Sequence, residues 1–214
     1  MMDFTFWDIL RNLLLAARWT VLLSVVAFTG GGIVGLGILL ARVSSRPWLR
    51  KSAEIYIGLF QGTPLLMQLF LVFFGLPLIG MRIEPWSAAV VGLTLCASAF
   101  LAEIWRGGVE AIPLGQWDAA KSVGLHYVKE MRLVILPQAF VITRAPMVGF
   151  LVQLVKMTAV TSIIGFEELM RASNAINNAT FEPFTVYGLV ALIYFAMCFP
   201  LTRYARHLQL RMRS

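Results

Sequence analysis

The chain contains uncharged apolar runs too long for a water-soluble fold: residues 19–41, 55–81 and 183–202 hold no Asp, Glu, Lys or Arg. About 20 such residues in a helix cross a hydrocarbon layer of about 30 Å. Residues 85–102 form a shorter candidate whose helix continues past Glu103, and 133–166 is apolar except for Arg144 and Lys156. These five stretches are continuous and do not alternate with polar residues, which predicts helices and excludes a barrel. Composition agrees, with 59% hydrophobic and 14% charged residues where a soluble surface needs roughly a quarter charged. The expected fold is an all-α integral membrane protein with about five transmembrane helices.

Lys and Arg collect in alternate connecting segments, which predicts orientation. Arg42, Arg46, Arg50 and Lys51 follow the first run; Arg106, Lys121, Lys129 and Arg132 lie between the third and fourth; Arg203, Arg206, Arg211 and Arg213 follow the fifth. These segments are expected in the cytoplasm, with the N-terminus outside and the C-terminus inside. The other side carries Arg11, Arg18, Arg82 and Arg171 against Glu84, Glu167, Glu168 and Glu182. The net charge of +7 follows from this bias and is no sign of a nucleic-acid partner. Residues 1–18 lack a secretory signal and read as an amphipathic segment running into the first span, with Phe4, Trp7, Ile9, Leu10 and Leu14 offered to the membrane interface. Residues 208–214 form a basic tail.

Several features are expected to be structural. Cys96 and Cys198 fall inside spans and read as small apolar core residues. His126 and His207 have no Cys or carboxylate at metal-ligand spacing, so no metal is expected. The glycine-rich stretch 30–37 lacks the Lys-Ser/Thr of a phosphate loop; Gly31 and Gly35 instead make a small-xxx-small face for a second helix. The chain is therefore not expected to hydrolyse ATP by itself. No paired acids, Ser with a base, or intraspan histidines suggest an enzyme.

The polar stretch 118–138, DAAKSVGLHYVKEMRLVILPQ, is anomalous in so oily a chain. Asp118 is expected near the start of a short helix that Gly124 stops. A second short helix, from His126 to Val134, leads to Pro137 at the start of the fourth span. Two cytoplasmic helices joined to a membrane helix are suited to transmitting a partner's movement, and an ordinary connecting loop is the plainer reading. Within the spans, Lys156, Thr158, Thr161 and Ser162 are candidates for a substrate path, because intramembrane charge usually faces a cavity. Lys156 can also pair with an acid or snorkel, and Arg144 lies nearer the cytoplasmic end. Thr63 and Gln68 flank Pro64, which breaks backbone pairing, so their polar groups serve a path or merely repair the break.

The spacing Asp118-Ala119-Ala120, Gly124, Val134, Leu136, Pro137 resembles the loop E-A-A-x3-G-x9-I-x-L-P of permease subunits of ATP-binding-cassette importers. Asp for Glu and Val for Ile are mild departures. The stretches YIGLFQGTPLLMQLFLVFFGLP and AFLAEIWRGGVEAIPLGQWDAAKSVG are similar to the polar-amino-acid branch of that family. The resemblance covers residues 17–207 and places a coupling loop at 112–137. It implies a type I importer core and alternating access driven by a partner ATPase dimer, which binds the ATP and Mg. It also implies a second permease subunit, an extracytoplasmic binding protein for a polar amino acid, and a bacterial inner-membrane location. Asp118, Ala119, Ala120 and Gly124 are carried over as ATPase-docking positions. Gly149, Met157 and Ala159 stand where the family commonly has Asn, Asp or Asn, and Ser, and Gln61 replaces an Arg. This loss of polar groups suggests a heterodimer in which the other permease supplies most ligand contacts. The alternatives are transport without an ATPase, or a membrane scaffold; neither needs the loop.

Overall fold

A computed structural model describes residues 5–211, which are helical almost throughout. The first helix, α1 (Phe6–Arg42), runs unbroken for 37 residues, about 55 Å at 1.5 Å per residue. Then come α2 (Pro47–Gly62), α3 (Leu65–Leu78), α4 (Pro85–Glu110), α5 (Leu114–Ser122), α6 (Tyr127–Ile164), α7 (Leu169–Thr180) and α8 (Pro183–Arg211). α1, α4, α6 and α8 are each long and apolar enough to cross a membrane, and α2 with α3 makes a fifth crossing if the bent pair counts as one span.

That pair bends within the run 55–81, at the break expected from Pro64. α2 and α3 meet at 105° across Thr63 and Pro64. Pro64 has no N–H to donate and takes an extended conformation (φ −61°, ψ 135°), so it begins a new helix. The fourth span begins earlier than residue 133. Tyr127–Glu130, a π turn at Met131–Ile135, the α-helix Leu136–Met157 and a 3₁₀ stretch at Thr158–Ile164 form one continuous rod. Pro137 enters where the π turn has already loosened the backbone ladder.

α4 is the central rod: 56% of its most apolar window is buried, against 28% for α1 and 22% for α8. Its inner faces carry Ala88, Ala89, Gly92, Ala97, Ser98 and Ala102, which let neighbours approach. α1 uses the expected glycine face. A Cβ on Gly31 would stand 2.6 Å from the Ala97 Cβ, and one on Gly35 2.9 Å from the Ser98 carbonyl oxygen. Cys96 and Cys198 are buried free thiols, as expected.

The first turns of α1 were expected at a membrane interface, and part of that face is used internally. Ile9 and Leu13 are buried with Ala17 against Leu169 and Ile176 of α7 and Val186, Val190 and Ile193 of α8, a second apolar cluster beside the main core. Trp7 and Leu14 remain exposed, Leu10 is half-buried, and Phe4 lies outside the described residues, as does Arg213. α8 runs antiparallel to α6, with Tyr194 beside Glu168 and Cys198 packed with Val155. Arg203, Arg206 and Arg211 therefore lie towards the same end of the bundle as Arg42 and α5.

Gly31→Val should lower stability by about 1–3 kcal/mol, because the new methyls meet backbone atoms that cannot turn away. Gly37→Ala, with nothing within 4 Å, should leave stability equal or slightly higher. Melting temperatures of the purified protein in detergent check both.

Candidate functional site

The elbow at 112–130 is built by backbone chemistry. Pro113 stands at the N-cap of α5, and its carbonyl accepts from Gln116 N–H at 3.0 Å. At the other end Gly124 takes φ +75°, a conformation costly for residues with a Cβ. Its N–H donates to the Lys121 carbonyl (2.9 Å) and Leu125 N–H to the Ala120 carbonyl (3.2 Å), the paired bonds of a Schellman stop. The His126 ring Nδ1 then accepts from Val128 N–H at 3.2 Å and caps α6. Asp118 is corrected: it is the fifth residue of α5, and the first turn has no acidic residue. Its charge therefore gains little from the helix dipole, which falls off within that turn.

Asp118, Ala119 and Gly124 are exposed, whereas Ala120 is only 4% exposed and packs inward. Large apolar side chains stand out beside them: Leu114, Val123 and Val128 are 79%, 74% and 63% exposed. Beneath this face lies a compact apolar cluster of Val109 at the end of α4 and Ile112 just past it with Met131, Ile135 and Ala139 of α6, joined by Trp117 of α5. Gln138 Nε2 donates to Gln116 Oε1 (3.3 Å), and the Tyr127 hydroxyl donates to the Val43 carbonyl just past α1 (2.5 Å). At Gly108 a Cβ would meet the Thr143 methyl and stand 3.0 Å from the Ala139 carbonyl, so α4 and α6 touch nearly backbone to backbone. The elbow is thus keyed to three spans.

The bend at Pro64 is repaired by the two polar residues beside it. Gln68 Nε2 donates to the Phe60 carbonyl (2.9 Å), the Thr63 carbonyl (3.0 Å) and Thr63 Oγ1 (3.0 Å), while Thr63 Oγ1 donates to the Leu59 carbonyl (2.7 Å). These contacts satisfy carbonyls that a break would leave bare in lipid. Gln61 Nε2 reaches the Ala99 carbonyl at 3.4 Å.

The remaining sequence-derived path residues do not converge on one cavity. Thr158, Thr161 and Ser162 are buried, and each hydroxyl donates to the carbonyl three residues back, on Val155, Thr158 and Ala159 at 2.7–2.8 Å. Their protons are engaged in stabilising the 3₁₀ turn. Lys156 and Arg144 are exposed on α6 and form no ion pair among the described residues.

The sequence reading missed one buried polar centre. Glu168, read as an outer surface charge, is fully buried. Oε1 accepts from Arg171 N–H (2.8 Å), capping α7; Oε2 accepts from the hydroxyls of Tyr194 (3.3 Å) and Thr20 (3.4 Å). Thr20 Oγ1 also accepts from Leu169 N–H at 3.2 Å. One carboxyl thereby joins α1, α7 and α8. The available signal was its place just before the amphipathic helix 169–180, the position of a side-chain cap.

Known proteins are similar to this chain in sequence and architecture. The family described as "Binding-protein-dependent transport system inner membrane component" matches residues 33–214. The chain is 39% identical over 180 residues to the Bacillus subtilis protein named "Probable amino-acid ABC transporter permease protein YckA", covering 84% of this chain and 80% of that one. It is 36% identical over 197 residues to the arginine transport system permease protein ArtQ of the same species, with 91% and 90% covered. A chain of a solved amino acid ABC transporter with histidines superposes with a TM-score of 0.90 at 33% identity, covering 99% of both chains. A chain of the MetNI methionine ABC transporter in an inward-facing conformation shares the fold, with a TM-score of 0.75 at 22% identity and 92% and 96% covered.

Burial pushes the Glu168 carboxyl above its ordinary value of 4.5, against the lowering effect of its hydrogen bonds. The folded state then holds this proton more tightly than the unfolded chain, so stability should fall as pH rises from 4.5 through the raised value and level off beyond it. Glu168→Gln should flatten that slope and raise the melting temperature near neutral pH, since it removes the buried charge while its amide oxygen still accepts from Arg171 N–H and its NH2 donates to the hydroxyl oxygens of Tyr194 and Thr20. Glu168→Ala should lower stability by about 1–3 kcal/mol by leaving buried donors unpaired. Thermal unfolding in detergent across pH checks both variants.

Proposed function

The chain belongs to the binding-protein-dependent transport system inner membrane component family as a multi-pass amino-acid ABC transporter permease of the bacterial inner membrane, and we propose that it couples ATP hydrolysis in partner subunits to uptake of a polar amino acid. The single observation that carries this reading is the elbow: an exposed apolar face on α5 and the start of α6, fastened from behind to α4 and α6 by one apolar cluster. A push on that face reaches two spans without passing through a flexible joint. An exposed patch of this kind is expected to be covered by a partner.

In this reading an ATPase dimer, which binds ATP and Mg, receives Asp118, Ala119 and Gly124 together with Leu114 and Val123. Ala120 acts from beneath, holding α5 against the bundle. The basic segments lie on the cytoplasmic side, so the N-terminus is outside. A binding protein delivers substrate from outside, and the path runs between this chain and a second, different permease. Lys156, exposed within a span, is the path residue best supplied with an unpaired charge; an ammonium there attracts a substrate carboxylate. Thr158, Thr161, Ser162, Thr63 and Gln68 hold the backbone that frames the path.

Ala119→Arg and Val123→Asp should each weaken capture of the ATPase by about tenfold or more, as expected for disrupting an interface centre. ATP-driven uptake in proteoliposomes should fall in parallel, while the melting temperature of the isolated permease stays unchanged because both positions are exposed. Uptake at the wild-type rate in both variants would overturn the coupling role. Two copies of this chain and no second permease in the purified transporter would overturn the heterodimer.

A further inference from the structure

A groove of about 340 Å³ opens between the end of α1 and the start of α6. It lies where both helices exchange charge for hydrocarbon. On α1 the uncharged run 19–41 stops at Arg42; on α6 Lys129 and Arg132 give way to Leu133, and the next charge is Arg144. The Tyr127 hydroxyl, held on the Val43 carbonyl, fixes the two helices at this height. The groove therefore straddles a membrane boundary, apolar on one side and cationic on the other.

Its walls are built for a lipid tail. Leu40 of α1 is 53% exposed, Leu136 of α6 is half-buried, and Met131 is buried between them. The mouth has different chemistry. Arg132 forms part of the wall, and Ser44, just past α1, faces it across the groove. Ser44 Oγ accepts from Arg46 N–H at 3.2 Å and keeps its own proton for an acceptor. Arg46 and Arg132 are exposed and form no ion pair among the described residues. No Asp or Glu lines the groove, and Glu130, the one acid between His126 and Leu136, is buried. Two unpaired guanidiniums and a free hydroxyl above an apolar trough complement a phosphodiester joined to an acyl chain, since the guanidinium fork matches phosphate oxygens.

We infer that this groove seats an anionic phospholipid. The phosphate lies between Arg46, Arg132 and the Ser44 hydroxyl, and the start of one acyl chain lies along Leu40, Leu136 and Met131. The lipid thereby ties the segment after α1 to the first turns of α6. The groove shares only Val128 with the exposed apolar face of the elbow, because Leu114 and Val123 take no part in its walls. The inference goes beyond the importer reading and needs only that the chain lies in a membrane.

The test uses the full chain purified in detergent and native mass spectrometry, with dioleoylphosphatidylglycerol as probe. Dioleoylphosphatidylethanolamine, equal in chains and zwitterionic, should bind about tenfold more weakly. Arg132→Gln and Arg46→Gln should each weaken phosphatidylglycerol binding by about fivefold, the effect of removing one cation near an anionic headgroup. Leu40→Asn should weaken both lipids, because it spoils the trough. Arg206→Gln, exposed on α8 at the same end but outside the groove, should leave binding unchanged. All four positions are exposed, so melting temperatures without added lipid should match the wild type, and stabilisation by phosphatidylglycerol should shrink in the groove variants alone. Equal affinity for the two lipids, or equal loss in Arg206→Gln, would overturn the inference. So would full lipid binding by Arg132→Gln together with failure to capture the ATPase, which would assign the groove to that partner.

Discussion

Lipid hydrocarbon offers no hydrogen bonds, so every N–H and C=O that enters it must find its partner inside the protein. That constraint accounts for the near-complete helicity and for the form of each departure from it. Where Pro64 removes a donor, the amide of Gln68 gathers the loose oxygens of Phe60 and Thr63. Where α6 gives up α-helical geometry near its end, hydroxyls of Thr158, Thr161 and Ser162 bind the carbonyls three residues back. Polar residues inside the spans therefore serve the backbone first. Only those left over after this service, such as Lys156, are available for anything else.

The same solvent removes the hydrophobic effect as a force between helices, and small residues at contacts take its place. α1 lies against α4 through Gly31 and Gly35, and α4 against α6 through Gly108. The elbow differs, because Val109, Ile112, Met131, Ile135 and Trp117 cluster as a soluble core does. Its position at the end of the rods explains the change of chemistry.

Features governed by local chemistry were legible in the sequence. The Gly31/Gly35 face and the stop at Gly124 each depend on residues within a turn or two, and each stands as read. The features that escaped depend on partners far along the chain. Ile9 had the look of an interfacial residue until α7 and α8 arrived to cover it, and Ala120 resembled its exposed neighbour Ala119 until the bundle closed behind it. Glu168 is the clearest case: its acceptors are engaged by Thr20 and Tyr194, separated from it by 148 and 26 residues. The bend at 105° was half legible, since Pro64 announced a break but not the angle.

α6 connects these observations. One 38-residue rod begins in the elbow's apolar cluster and ends in the 3₁₀ turn that leads through Gly165 to Phe166 and Glu167. About 57 Å of helix therefore joins the two ends of the bundle without a loop between them. Its only departures from α geometry lie near its ends, at Met131–Ile135 and Thr158–Ile164, where a small change of winding re-aims the next segment of chain. A movement imposed on the elbow has two ways to proceed: the rod turns as a unit, or its terminal turns rewind. Either alters the ring cluster of Trp86 and Phe166, because Phe166 hangs from the rod's last turn while Trp86 belongs to α4. The apolar contact at one end and the aromatic contact at the other are thus set by the same two helices, α4 and α6.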